Sequence, residues 1–189
     1  FQVEDEYTVH KPLATSQVID RDRTKFGVFF GDNQGYAHAC NQLAEMLTAA
    51  GRPDEARTYR DRAAEILKKT SDLTWNGKFF QHRVEEDPSV KRDLGVDEKS
   101  QIAMSNCYAL NRDIPHEQAV AILDTYLDLK AHLPNRSPGE WYAIYPPFGR
   151  GFGKDSSKWQ YMNAGVHGHA AVSSLANFAI HYFGNYKNL

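Results

Sequence analysis

The chain has 189 residues, enough for one domain with a sizeable core, and its formal charge of −2 shows no basic excess. Neither nucleic acid nor an anionic membrane is therefore indicated as a partner. No apolar run approaches the roughly 18 residues of a membrane span, so no membrane partner is expected. The two cysteines, Cys40 and Cys107, favour buried free thiols over a disulfide scaffold, although a single bridge stays open.

Residues 1–30 are predicted to form an extended or linker segment. Alternation at residues 7–9 and the run at 27–30 are typical of short strands. The chain begins at Phe1 without a recognisable leader and stops just after an uncharged stretch, so both ends are expected to be cut from something longer. The compartment is left open, with the periplasm or the exterior as the expectation.

Residues 32–75 are predicted to form a helical hairpin. Apolar residues of the first helix recur at three- and four-residue steps, at Tyr36, Cys40, Leu43 and Leu47. Gly51 ends that helix, and Pro53 begins the second one. The second helix has its own apolar series at Ala56, Tyr59, Ala63, Ile66 and Leu67. Its other face is charged, so the first helix is predicted to be an inner helix and the second an outer one.

The same order of signals returns downstream. A second uncharged helix is predicted in SQIAMSNCYALN, a second proline-started helix in DIPHEQAVAILDTYLDLKAHL, and a third uncharged helix in the stretch from Asn163 through GVHGHAAVSSLANFAIHYFG. Corresponding landmarks lie 62 to 66 residues apart, at Asp32 and Asp97, Asp97 and Asn163, Pro53 and Pro115, and Trp75 and Trp141. This spacing indicates a structural repeat.

Two connections between these helices have distinct compositions. Residues 75–77 predict a turn, and residues 78–84 alternate as a strand does. The connection at 134–158 is long, rich in proline and glycine, and carries the aromatic run WYAIY. Because disordered segments are poor in aromatic residues, we expect an ordered loop over a site.

The inner-helix N-termini and the long loop carry carboxylates, amides and flat aromatic rings, which together suit a carbohydrate. Cleavage of a glycosidic bond needs two carboxyl groups, and the catalytic candidates are Asp32 and Glu140. The substrate-binding candidates are Asn33, Gln34, Glu98, Trp141, Trp159, Tyr161, Asn163 and His167. No cofactor is expected.

Each candidate has a structural alternative. Asp32 and the pair Asp97–Glu98 are also typical helix caps, and Glu140 is also typical of a solvated loop residue. The two tryptophans of the long loop are equally typical of a core. His167 and His169 do not indicate a metal site, because residues two apart on a helix point in different directions.

The block FFGDNQGYAHACNQLAEMLTAAGRPDEARTYRDRAAEILKKTSDLTWNGKFF resembles a segment of bacterial (α/α)6-toroid glycoside hydrolases, the six-hairpin glycosidase superfamily. The stretch WQYMNAGVHGHAA resembles their entry into an inner helix near the active site, with Ala164 where many relatives have glycine. The resemblance covers residues 26–186. It implies an all-α fold in which residues 31–189 form about half of a toroid, with short β-hairpins and the long aromatic loop. It also implies a glycoside hydrolase fragment that acts on a carbohydrate substrate and is completed by a second fragment or chain.

Two other functions stay open. A sugar epimerase or isomerase of the same fold would use His38, His167 or His169 for proton transfer. A non-enzymatic helical-repeat scaffold would resemble tetratricopeptide units, but their period is near 34 residues and their turns are short.

Overall fold

The computed structural model describes residues 2–3, 26–151 and 157–168. In this part of the chain the helices are α1 (Phe30–Ala49), α2 (Pro53–Thr74), α3 (Ser105–Ala109) and α4 (His116–Ala131), with a 3-10 helix at Glu98–Ser100. The strands are β1 (Gln2–Val3), β2 (Phe26–Phe29), β3 (Arg83–Glu85), β4 (Ile102–Ala103) and β5 (Ile144–Tyr145).

The predicted all-α toroid is wrong, because the fold is mixed. About half of the described residues are helical, and the strands form two antiparallel sheets of order β1-β2-β3 and β4-β5. The extended segments beside the helices pair with one another through backbone hydrogen bonds, as buried backbone groups require. The strand expected near residues 27–30 is confirmed as β2, whereas residues 7–9 lie outside the described part.

The first hairpin is confirmed. Gly51 lies between α1 and α2 with φ of 74°, where a side chain is disfavoured, and Pro53 is the first residue of α2. The helices meet through small side chains, with Ala37 and Cys40 against Ala63. The apolar series predicted for α1 is only half right, because Tyr36 is 50% and Leu43 36% exposed.

The second hairpin keeps the predicted order but not the predicted lengths. Instead of one helix, SQIAMSNCYALN forms the end of the 3-10 helix, β4 and the five-residue α3. Ile102 and Ala103 are extended because they pair with Tyr145 and Ile144. The capping interpretation of Asp97 is confirmed, since its carboxylate accepts from the backbone N–H of Lys99 at 3.1 Å. The proline-started helix is confirmed as α4, with Pro115 as its N-cap.

The strands reveal how the two hairpins are joined. In the first unit β2 pairs with β3, and in the second unit β4 pairs with β5. Gln81, two residues before β3, forms an isolated β-bridge with Ile102 of the second unit. Tyr142, two residues before β5, forms one with Val166. The repeat is thus a strand–helix–helix–strand unit.

Other local predictions have mixed outcomes. The turn at residues 75–77 is confirmed, because Gly77 has φ of 94° and the Asn76 side-chain oxygen accepts from the N–H groups of Lys78 and Phe79. The strand expected at 78–84 is shifted to β3. The third inner helix falls mainly on residues 169–189, outside the described part.

The main core lies between α3, α4 and the loop segments. Its fully buried side chains include Phe30, Phe80, Ile122 and Leu123. Cys40 and Cys107 are buried free thiols, as expected. Among the described residues, no helix is long and apolar enough to cross a membrane.

Candidate functional site

A cavity of about 300 Å³ lies at the N-terminal end of α1, and we name it the α1 cavity. Its wall comes from the start of α1, from α3 with the residues around it, and from the later loops. It is lined by Phe29, Gly31, Asp32, His82, Ala103, Met104, Ser105, Tyr108, Arg112, Ala143 and Met162. This volume is at the lower end of the range of about 300–1,000 Å³ for ligand pockets. Of the residues that the sequence predicted to converge on a site, Asp32 is the one that lines this cavity in the described part of the chain.

Asp32 is the carboxylate of the α1 cavity. It lies in the first turn of α1, but Phe29 is the N-cap, so the interpretation of Asp32 as the cap residue is wrong. Its side chain is exposed, and no described residue forms a hydrogen bond or an ion pair with it. Asp32 is therefore a free carboxylate at the rim of a cavity.

Arg112 is the cation of the same cavity, and it was not predicted as a site residue from the sequence. Its guanidinium lies over the Tyr108 ring at 5.4 Å and donates from Nη1 to the Gln34 side-chain oxygen at 3.3 Å. The Gln34 amide also donates to the backbone oxygen of Arg112 at 2.8 Å. A side chain at Gly35 would lie 3.2 Å from the guanidinium, so the close approach favours glycine there.

Two further polar side chains line the wall. His82 packs edge-on against Phe29 at 5.0 Å, and its backbone oxygen accepts from the first N–H of α1. The Ser105 hydroxyl is buried without a hydrogen-bond partner among the described residues. A carbon placed on Gly31 would lie 2.8 Å from Cβ of Ser105, so α1 and α3 are in close contact at the cavity. Neither residue was predicted from the sequence, because their positions depend on contacts that are remote in sequence.

Three of the predicted substrate-binding amides serve the fold instead. Asn33 donates to the backbone oxygen of Phe29 at 2.7 Å, and Gln34 donates to the backbone oxygen of Arg112 at 2.8 Å. Asn163 is fully buried, accepts from the N–H of Phe148, and donates to the backbone oxygens of Phe148 and Ser157. An amide occupied in this way has little capacity left for a ligand.

The predicted carboxylates other than Asp32 lie elsewhere. Glu140 is only 8% exposed, and its carboxylate is 4.0 Å from the Lys130 ammonium. It is not a lining residue of the α1 cavity, so it forms no catalytic pair with Asp32 there. Glu98 is paired with Arg92, which also contacts Glu85 at 3.2 Å. That ion-pair network holds the loop before β4.

The predicted aromatic residues divide between the core and a second surface. Trp141 packs on the core with its ring 4.9 Å from Tyr126. Trp159 is 52% exposed and lines a separate cavity of about 430 Å³ with Tyr142 and residues 134–138. Tyr161 is 77% exposed. Trp159 and Tyr142 therefore belong to a cavity whose lining residues differ from those of the α1 cavity.

Two of the histidines proposed for catalysis, His38 and His167, do not line the α1 cavity. His167 contacts the backbone oxygen of Tyr161 at 3.3 Å, and His38 lies 3.7 Å from the Asp113 carboxylate. His169 is outside the described residues. In the described part of the chain, no group of three or more His, Cys, Asp or Glu side chains could hold a metal ion.

No family model and no curated protein matches the sequence. The site must therefore be interpreted from its own chemistry.

Proposed function

We propose that the chain is part of a carbohydrate-active enzyme, a glycoside hydrolase, with its reaction centre in the α1 cavity. The observation that carries this proposal is the free carboxylate of Asp32 beside a positioned guanidinium and an imidazole, all within one cavity. The resemblance to bacterial glycoside hydrolases supports the same assignment. In those enzymes an acidic residue stands at the start of an inner helix, and Asp32 has the matching position in this sequence.

In this proposal Asp32 transfers a proton to or from the oxygen at the glycosidic bond. Glycoside hydrolysis also requires a second carboxyl group, about 5–9.5 Å away in most enzymes of this type. Asp32 is the sole carboxylate among the described residues that line the cavity. The second carboxyl group would accordingly come from outside the described residues, either from this chain or from a second polypeptide.

The proposal is tested by hydrolysis of a panel of 4-nitrophenyl glycosides. Asp32→Asn keeps the size of the side chain but removes its ability to transfer a proton. We expect kcat to fall by about 10²- to 10⁴-fold, the usual contribution of a general acid or base. Glu45→Gln is the matched control, because Glu45 is an exposed carboxylate on the same helix. Hydrolysis that is unchanged in Asp32→Asn, or absent for every glycoside, would contradict the proposal.

A sugar epimerase or isomerase is the second candidate. It is favoured by one feature, namely that the cavity combines one carboxylate with the His82 imidazole rather than with another carboxylate. Such an enzyme would exchange a carbon-bound hydrogen of the sugar with solvent. Incorporation of deuterium from D₂O into a free sugar, lost in His82→Gln, would favour this reaction over hydrolysis.

A further inference from the structure

We infer that the α1 cavity is specific for an acidic sugar, and that Arg112 binds the carboxylate of a uronic acid. This inference rests on the proposed function, since it names the substrate class of the same site. It adds a specificity-determining residue that the sequence analysis did not identify.

Arg112 has no counter-ion among the described residues. The other two described arginines that are not exposed, Arg83 and Arg92, each have a carboxylate partner. Arg112 is half-buried and has no carboxylate within ion-pairing distance among the described residues. Asp32 lines the same cavity but forms no ion pair with it. A partly desolvated guanidinium without a counter-ion favours the binding of an anion.

Arg112 is held in place by neutral groups. Its contacts are the Gln34 side-chain oxygen at 3.3 Å and the face of the Tyr108 ring at 5.4 Å. The hydrogen bond to Gln34 occupies one of the five N–H donors of the guanidinium. Neutral supports fix the orientation of the side chain without cancelling its charge, which leaves its planar fork for a ligand.

The charges of Arg112 and Asp32 favour a carboxylate ligand over a phosphate. A sugar carboxylate carries one negative charge, which a single Arg112 can balance. A phosphate monoester carries about 1.5 to 2 negative charges at neutral pH, and the excess would be repelled by Asp32 in the same cavity. A sugar with its carboxylate at Arg112 and its glycosidic oxygen at Asp32 satisfies both charged groups.

The experiment measures binding of three sugars to the whole chain by calorimetry at low ionic strength. The probes are D-glucuronate, D-glucose and D-glucose 6-phosphate. We expect glucuronate to bind about tenfold to a hundredfold more tightly than glucose, as a charge-assisted pair provides. We expect Arg112→Met to abolish this preference and Arg112→Lys to restore part of it. The control is Arg136→Met, because Arg136 lines the separate aromatic cavity.

The outcomes separate this inference from the proposed function. Equal binding of glucuronate and glucose by a protein that hydrolyses glycosides through Asp32 would overturn the acidic-sugar inference alone. A glucuronate preference that persists in a folded Arg112→Met variant would also overturn it, as would tighter binding of glucose 6-phosphate. An Arg112-dependent preference for glucuronate without Asp32-dependent cleavage would support acidic-sugar recognition and overturn hydrolysis.

Discussion

The two strand–helix–helix–strand units differ most in their first helices. In the first unit α1 runs for 20 residues and packs along α2, whereas in the second unit α3 has only five. After α3 the chain turns through Asp113, whose φ is 58°, and reaches Pro115 at the start of α4. A proline restricts the residue before it to extended conformations, which separates the first helix from the second in both units. The helix α3 is short because it begins late, after the extended residues Ile102 and Ala103.

The difference has a consequence for the site. The loop between the two helices is longer in the second unit, at residues 110–115 against 50–52, and it returns to α1, where Gln34 binds the backbone and the guanidinium of Arg112. A longer α3 would carry this residue on a helix instead. The long helix thus supplies the carboxylate of the cavity, and the loop after the short helix supplies the cation.

The largest expected effect comes from breaking the attachment of α3 to the first unit. Asn106 is fully buried, accepts from the N–H of Phe80 and donates to the backbone oxygens of Phe80 and Ala103. Asn106→Ala leaves both backbone groups of Phe80 without this partner and creates a void. We expect it to lower the free energy of unfolding by about 2–4 kcal/mol, measured by urea denaturation.

Two variants set the scale for this result. Asn41→Ala, on the long α1, removes an amide without breaking such an attachment, and we expect a change within about 0.5 kcal/mol. Asn163→Ala tests whether the amide that binds Phe148 in the same manner has a comparable effect at the end of the second unit. If Asn106→Ala were as stable as Asn41→Ala, the short helix would not depend on this attachment.

A smaller effect is expected where the long and the short first helices touch. Gly31→Ala places a carbon 2.8 Å from Cβ of Ser105. A contact this short would push α1 and α3 apart. We expect a loss of about 1–3 kcal/mol, as for overpacked contacts. Thermal denaturation of Gly31→Ala and of the double variant Gly31→Ala/Ser105→Gly measures it. Failure of the second substitution to recover stability would show that the contact is not the cause.

The sequence predicted the features that depend on neighbouring residues. The end of α1 near Gly51, the start of α2 at Pro53 and the turn at Asn76 follow from local backbone preferences. The short α3 was missed because the extended state of Ile102 and Ala103 depends on pairing with β5, which is remote in sequence. The position of Arg112 was missed for the same reason, since it depends on Gln34, 78 residues away.

The smallest expected effect on stability concerns the contact between the two helices of each unit. In the first unit Cys40 packs against Ala63, whereas in the second unit the Cys107 thiol donates to the Tyr126 hydroxyl at 3.0 Å. Burial, and then the nearby Cys107, raises the pKa of Tyr126 well above its ordinary value of 10. A polar link therefore joins α3 to α4, and we expect Tyr126→Phe to cost about 1 kcal/mol at pH 8.

This link should also be sensitive to alkali. Because the pKa of Tyr126 is higher in the folded than in the unfolded chain, its stabilisation is fully present below about pH 10 and is lost as the pH rises through the folded pKa. In urea denaturation from pH 8 to pH 11, the difference in the free energy of unfolding between the wild type and Tyr126→Phe should decrease above pH 10. Tyr59→Phe removes the same hydroxyl at a half-buried position on α2 and is the matched control. A difference between the wild type and Tyr126→Phe that stays constant to pH 11 would mean that the buried hydroxyl is not what links the short helix to α4.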